Sequence, residues 1–119
     1  MKILIVDDTK LSRAMILKRI PDNVKNSSKI FLGTNGREAV ELYKEIKPDI
    51  TFLDLTMPEM DGFEALEIIR AHDPDAQVYV ITADIQAKAR ERIMALGAKG
   101  IEKKPIDESR IVQILATIQ

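Results

Sequence analysis

A doubly wound α/β domain built on a parallel sheet is the fold this sequence predicts, and three features predict it. Short apolar runs recur along the chain without polar alternation, as in strands buried on both faces. Between them lie segments whose apolar residues repeat at helical spacing. The connections are short, and no low-complexity linker, charge block or internal repeat interrupts the alternation. The expectation is five strands flanked by five helices, occupying residues 1–119 as one domain with no segment left for a second.

The first run, Ile3 to Val6, is mostly β-branched and reads as a buried strand. Leu11, Ala14, Met15 and Lys18, with Leu17 and Ile20 adjoining, give the first helix its spacing, and Pro21 followed by Asp22-Asn23 marks its end. Ser28 to Leu32 is the second strand. Asn35-Gly36-Arg37-Glu38 has the form of a capping box, and Ala39, Leu42, Tyr43 and Ile46 supply the stripe of a helix that Pro48 closes. Ile50 to Leu53 is the third strand, Asp61-Gly62-Phe63-Glu64 a second capping box, and Phe63, Leu66 and Ile69 the next stripe. Val78 to Ile81 is the fourth strand, followed by the stripe Ile85, Ala89 and Ile93 with Gly97 as C-terminal cap. A weak fifth strand lies near Gly100 to Lys103, and the last helix, from about Asp107, carries Ile111, Ile114, Leu115 and Ile118.

Composition narrows the function classes. With 45% hydrophobic and 31% charged residues the chain has a globular profile, and 18 basic against 19 acidic residues give no general affinity for nucleic acid or anionic membrane. There is no cysteine, so no disulfide framework and no thiolate metal site. No apolar run approaches the roughly 18–20 residues that span a bilayer. The apolar start meets Asp7-Asp8 too soon for a signal peptide. A cytoplasmic location is expected.

In an open α/β sheet, ligands bind beyond the carboxyl ends of the strands. Strand one ends in Asp7-Asp8, strand three in Asp54, strand four in Thr82 and strand five in Lys103-Lys104. Right-handed crossovers bring these ends to one edge, so three carboxylates, a hydroxyl and an ammonium converge on one crevice. Carboxylates so close repel unless a cation sits among them, and Mg²⁺ is a hard cation that takes a few carboxylates and keeps several waters. An aspartate can act as a nucleophile and form an aspartyl phosphate, and phosphoryl transfer chiefly needs positive charge around the transferred oxygens. Taken singly, each residue also has a structural reading: Asp8 or Thr9 caps the first helix, Asp54 is a loop aspartate, Thr82 a turn residue and Lys104 a solvated charge. The lone histidine, His72, reads as a surface residue at a helix end.

At these residues the sequence resembles the receiver domains of response regulators, and within them the single-domain chemotaxis regulators. The resemblance is carried in family order by Ile3 to Asp8, Asn35-Gly36-Arg37-Glu38-Ala39, Asp54-Leu55-Thr56-Met57-Pro58 and Met60-Asp61-Gly62. Ile81-Thr82-Ala83, Leu96-Gly97-Ala98 and Lys104-Pro105 complete the series. It implies a flavodoxin-like sheet of order 2-1-3-4-5, with Asp54 as phosphoacceptor and Mg²⁺ held by Asp7, Asp8, Asp54 and the backbone carbonyl of Thr56. It also implies that Thr82 and Lys104 bond phosphoryl oxygens, with a cis peptide before Pro105. Lys103 is the rival for the lysine role.

Further implications concern partners. A histidine kinase or phosphotransfer protein would donate the phosphoryl group to this two-component regulator, which assists its own phosphorylation and dephosphorylation without being an enzyme of an external substrate. An effector would bind strand five and its flanking helices, including Ala87 to Leu96 and Ser109 to Ile118. Ala83 is small, leaving the site open to a kinase or a phosphatase, and the protein would be a monomer or a weak phosphorylation-dependent dimer. Thr56 and Asp84 would flank the site and affect how water reaches the aspartyl phosphate. In the family a strand-five aromatic is coupled to the threonine; here Ile101 stands at that position, so more of the change is expected in the loop Ala83 to Gln86. Chemotaxis-type signalling is favoured over a phosphorelay intermediate. An aspartate-nucleophile phosphohydrolase would need a second aspartate where Thr56 stands, and a flavin-binding module would place phosphate donors where Asp7-Asp8 stand.

Overall fold

The computed structural model describes residues 1–55, 57, 59–83 and 85–118. Along the chain these form β1 (Lys2–Val6), α1 (Lys10–Arg19), α2 (Asp22–Asn26), β2 (Lys29–Gly33), α3 (Gly36–Ile46) and β3 (Ile50–Asp54). There follow α4 (Gly62–His72), β4 (Val78–Thr82), α5 (Ala87–Ala95), β5 (Gly100–Lys103) and α6 (Glu108–Ala116). The five strands are parallel in the order β2-β1-β3-β4-β5, as the resemblance implies. Among the described residues no helix is long and apolar enough to cross a membrane.

Side chains on a strand alternate between faces, so a run buried on both faces is largely apolar, Thr51 in the middle of β3 being a buried exception. Leu4, Val6, Leu53, Val78 and Val80 join Ala39, Tyr43, Leu66, Ile69 and Ile93 in the core beneath α3, α4 and α5. Ile3, Ile5, Ile50, Phe52 and Ile81 face the other way, onto Ile16, Ile20, Ile111, Ile114 and Leu115 of α1 and α6.

Three helix starts follow the sequence closely. Asn35 accepts from the Glu38 amide at 2.8 Å and Asp61 from the Glu64 amide at 3.0 Å. Glu38 reaches back one residue further than a capping box requires, accepting from the amide and hydroxyl of Thr34, both at 2.6 Å. At α1 the cap is Thr9, whose hydroxyl accepts from the Ser12 amide at 3.2 Å. Gly97 ends α5 at a φ of 99°, a conformation that favours glycine.

Two expectations are corrected. The helices number six among the described residues, because Pro21 also starts a helix: its fixed φ suits an N-terminal position, and Val24 of α2 is buried against α6 residues. In α1 the buried stripe runs through Ile16 and the capping Ile20, while Leu11 is 72% exposed.

The start of α4 lies hard against the end of β3. The Gly62 amide donates to the Leu55 carbonyl at 2.8 Å, and a Cβ on Gly62 would overlap the Asp54 carbonyl oxygen and come within 2.7 Å of Leu55 Cα. Both obstacles are backbone atoms. Gly62→Ala is therefore expected to cost about 2–3 kcal/mol, read as a lower urea midpoint. Gly33→Ala, whose Cβ would meet only side-chain atoms at 3.3 Å and beyond, serves as control and is expected to cost much less. Equal midpoints for the two variants would refute the close-approach argument.

Candidate phosphoacceptor and metal site

The carboxyl edge of the sheet gathers the predicted residues. Asp7 follows β1 directly, its amide donating to the Gly33 carbonyl of β2 at 3.1 Å. Its Oδ1 accepts from the Thr9 amide at 3.1 Å, and its backbone carbonyl accepts from the Arg13 guanidinium at 2.7 Å, which ties α1 to the strand end. Asp54 closes β3, and Thr82 closes β4 with its carbonyl accepting from the Lys104 amide at 2.8 Å. Asp7, Asp54 and Thr82 are buried, whereas Asp8 is exposed.

Lys104 reaches between the carboxylates. Its Nζ lies 2.6 Å from Asp7 Oδ2 and 3.3 Å from Asp54 Oδ1. Lys103 sits one residue earlier on β5, in register with Thr82 and exposed; of the two lysines it is Lys104 that meets the carboxylates. The Lys104–Pro105 peptide is cis.

Burial, and next the charge of Asp7, hold the Asp54 carboxyl above the usual carboxylate range, against the opposing pull of Lys104. Burial also works to lower the Lys104 pKa, but the Asp7 hydrogen bond and the two carboxylate charges outweigh it and raise it. Each partner thus records the same surplus of negative charge.

Asp7, Asp8 and Asp54 each offer one oxygen, all within 4.8 Å of one another. Ligand oxygens on Mg²⁺ bonds of ~2.1 Å lie roughly 3–4 Å apart, so small adjustments would bring the three onto one ion. Three carboxylates against one ammonium leave two net negative charges, which suits a divalent cation. The residues fit the metal. Thr56, whose carbonyl was expected to join the shell, lies outside the described residues, as do Pro58 of the same motif and the flanking Asp84.

Above the carboxylates lies a cleft of about 380 Å³, lined among others by Asp8, Asp54, Thr82, Gln86 and Lys104. Phe63 and Ala89 are also part of its wall, and the guanidinium carbon of Arg92 lies 4.1 Å from the centroid of the Phe63 ring. Sequence reading gave Phe63 and Ala89 only core roles and passed over Arg13 and Arg92. The available signal for Phe63 was its place in the first turn of the helix that follows the Asp54 loop. Ile101 is half-buried against the same apolar cluster as Phe63, Ala89 and Leu96. His72 is exposed at the end of α4, as expected.

Comparisons with known proteins bear on the family and the fold. Residues 3–116 match the family model described as a response regulator receiver domain. A chemotaxis protein CheY from Thermotoga maritima is 44% identical over 117 residues, covering 96% of this chain and 93% of the relative. Its Listeria monocytogenes counterpart is 42% identical over 115 residues, covering 97% and 95%. Among solved structures, the CheX–CheY complex with BeF3 and Mg²⁺ from Borrelia burgdorferi matches with a TM-score of 0.87 at 30% identity, covering 98% of this chain and 87% of that one.

Proposed function

The chain belongs to the response regulator receiver family, and from that premise we propose that Asp54 accepts a phosphoryl group in a Mg²⁺-dependent reaction that switches partner binding. The observation that carries the proposal is the convergence of three carboxylates within 4.8 Å around a lysine bonded to two of them. On this reading the chain forms a single receiver unit, and Asp7, Asp8, Asp54 and the Thr56 carbonyl hold the ion. When bound, Mg²⁺ supplies the positive charge that three carboxylates and an incoming phosphoryl group together demand.

The chain's own groups account for the rest. An oxygen of Asp54 attacks phosphorus, the P–N bond of a donor phosphohistidine breaks, and the imidazole leaves with the bonding pair and takes a proton. Burial strips water from the Asp54 carboxylate and fixes it at the floor of the cleft. Lys104 shifts part of its hydrogen bonding from Asp54 to a phosphoryl oxygen, and the Thr82 hydroxyl donates to another. Hydrolysis returns the carboxylate and inorganic phosphate.

The donor is a histidine kinase or phosphotransfer protein, and the output face comprises β5 with α5 and α6, where Met94 and Val112 are exposed. The names of the relatives favour chemotaxis-type signalling. A neighbour solved as a CheX–CheY complex with BeF3 and Mg²⁺ supports a metal-dependent phosphoryl site and a protein partner.

Intact-mass analysis after incubation with acetyl phosphate tests the chemistry. One phosphoryl group is expected in the presence of Mg²⁺, none in its absence and none on Asp54→Ala. No gain with Mg²⁺, or an equal gain on Asp54→Ala, would refute Asp54 as the acceptor.

A further inference from the structure

One side-chain stack joins the wall of the Asp54 cleft to a helix of the output face. Phe63 belongs to that wall and stands in the first turn of α4. Its neighbour Gly62 is bonded through its amide to the Leu55 carbonyl, at the residue that follows Asp54. On the other side, the Arg92 guanidinium of α5 lies over the Phe63 ring at 4.1 Å. Ala89, three residues before Arg92 and on the same side of α5, is itself cleft wall. A short chain of contacts therefore runs from Asp54 through Leu55, Gly62 and Phe63 to Arg92.

Other routes from the cleft to the output face are of a different kind. Ile101, Leu96 and Ala89 pack, like Phe63, on the apolar cluster under these helices. The bidentate pair of Arg110 with Glu102, at 2.8 and 3.0 Å, joins α6 to β5 without lining the cleft. Arg92 combines a fixed positive charge with a contact on a residue of the cleft wall.

We propose that the Phe63–Arg92 stack transmits the phosphorylation state of Asp54 to helix α5. The inference rests on the phosphoacceptor reading and names the device that regulates output from that site. A phosphoryl group brings close to two negative charges into the cleft. It takes up space against Phe63 and attracts the guanidinium stacked behind the ring. A cation on an aromatic face has loose directional demands, unlike a bidentate ion pair, so the stack yields before the Arg110–Glu102 pair does. Any movement of the ring or the guanidinium is handed to α5, because Arg92 is anchored there one residue before the buried Ile93. Isoleucine at 101 then has only to fill space.

Methionine methyl groups give separate reporters at the two ends. Met57 and Met60 follow Asp54 in the chain and pack on the core, whereas Met94 is 47% exposed on α5. With ¹³C-methyl methionine, adding Mg²⁺ and beryllium fluoride is expected to shift all three resonances in the natural chain. In Arg92→Gln, Met57 and Met60 should move as before while the Met94 displacement falls by more than half. Arg92→Lys, which keeps a cation, should restore most of it, and Phe63→Leu should behave like Arg92→Gln. Arg92 is exposed, so Arg92→Gln carries the test even where Phe63→Leu folds poorly. A full Met94 displacement in Arg92→Gln, or a still Met94 in the natural chain while Met57 and Met60 move, would overturn the coupling alone. Motionless Met57 and Met60 in the natural chain would overturn the phosphoacceptor reading and the coupling with it.

Discussion

Asp54→Asn is expected to take up no phosphoryl group and, without Mg²⁺, to melt at a higher temperature than the natural chain. The first effect follows from the proposed role of Asp54 as nucleophile. The second follows from charge: Asp54 is buried beside Asp7, and those two influences exceed what Lys104 returns. Its folded-state pKa therefore lies above the unfolded one. Between the two values the folded state binds the extra proton, so the Asp54 contribution to stability improves as pH falls through the folded pKa and worsens as pH rises through it. At neutral pH the unfavourable contribution is present in full. Asparagine keeps the shape without the charge, and a gain of about 1 kcal/mol, or roughly 3–6 °C, is the expected size.

The difference between the two proteins should shrink on acidification and disappear once the pH is below the unfolded value near 3.8. Saturating Mg²⁺ should reverse the order at neutral pH, because the ion stabilises the folded form that binds it and asparagine replaces an anionic ligand oxygen with a weaker neutral one. Thermal melts at two pH values, each with EDTA and with Mg²⁺, would test all of this. A natural chain that is the more stable of the two in EDTA at pH 7 would show that Lys104 already over-compensates the carboxylate.

The strand framework was legible because a doubly covered parallel sheet demands largely apolar runs, and Ile3 to Val6 and Val78 to Ile81 meet that demand, as does Ile50 to Leu53 apart from the buried Thr51. The site was legible for a related reason. Each run ends abruptly in a polar residue, and a parallel sheet sends all such ends to one edge. Less legible was α1, where Leu11 and Leu17 compete with Ile16 and Ile20 for the core; two overlapping helical spacings are present, and only packing against β1 and α6 selects one. Five residues cannot display a helical period, which hid α2. Phe63 and Ala89 were hidden by chemistry, since an apolar residue that walls a cleft looks in sequence like one that fills a core. The choice between Lys103 and Lys104 rested on proline adjacency. The structure adds a physical reason: neighbouring residues on an extended chain point to opposite sides, and only Lys104 turns toward Asp7 and Asp54.

Lys104→Met should separate metal binding from phosphoryl acceptance. Methionine retains a long unbranched stem and removes the ammonium that lies 2.6 Å from Asp7 and 3.3 Å from Asp54. A cation that competes with Mg²⁺ for the same carboxylates is then gone, and the ion is expected to bind more tightly, by about tenfold for each 1.4 kcal/mol of repulsion removed. Acceptance should move the other way. On the proposed reading the donor that meets the phosphoryl oxygens is lost, and losing one preorganised donor of this kind slows a reaction by about 10²–10³. In EDTA the same change leaves two buried carboxylates facing each other. Breaking a buried pair costs about 3–5 kcal/mol, and since Lys104 keeps 23% of its side chain exposed the loss here should fall below that range. Lowering the pH should recover part of it as Asp54 takes a proton, and Mg²⁺ should recover more. Lys103→Met, at the exposed neighbouring position, should change neither metal affinity nor phosphorylation rate. Calorimetric Mg²⁺ titration beside phosphorylation time courses would decide the matter. Tighter metal binding with slower acceptance places Lys104 on the phosphoryl group, whereas an unaltered rate in Lys104→Met would assign the lysine to holding Asp7 and Asp54 together and nothing more.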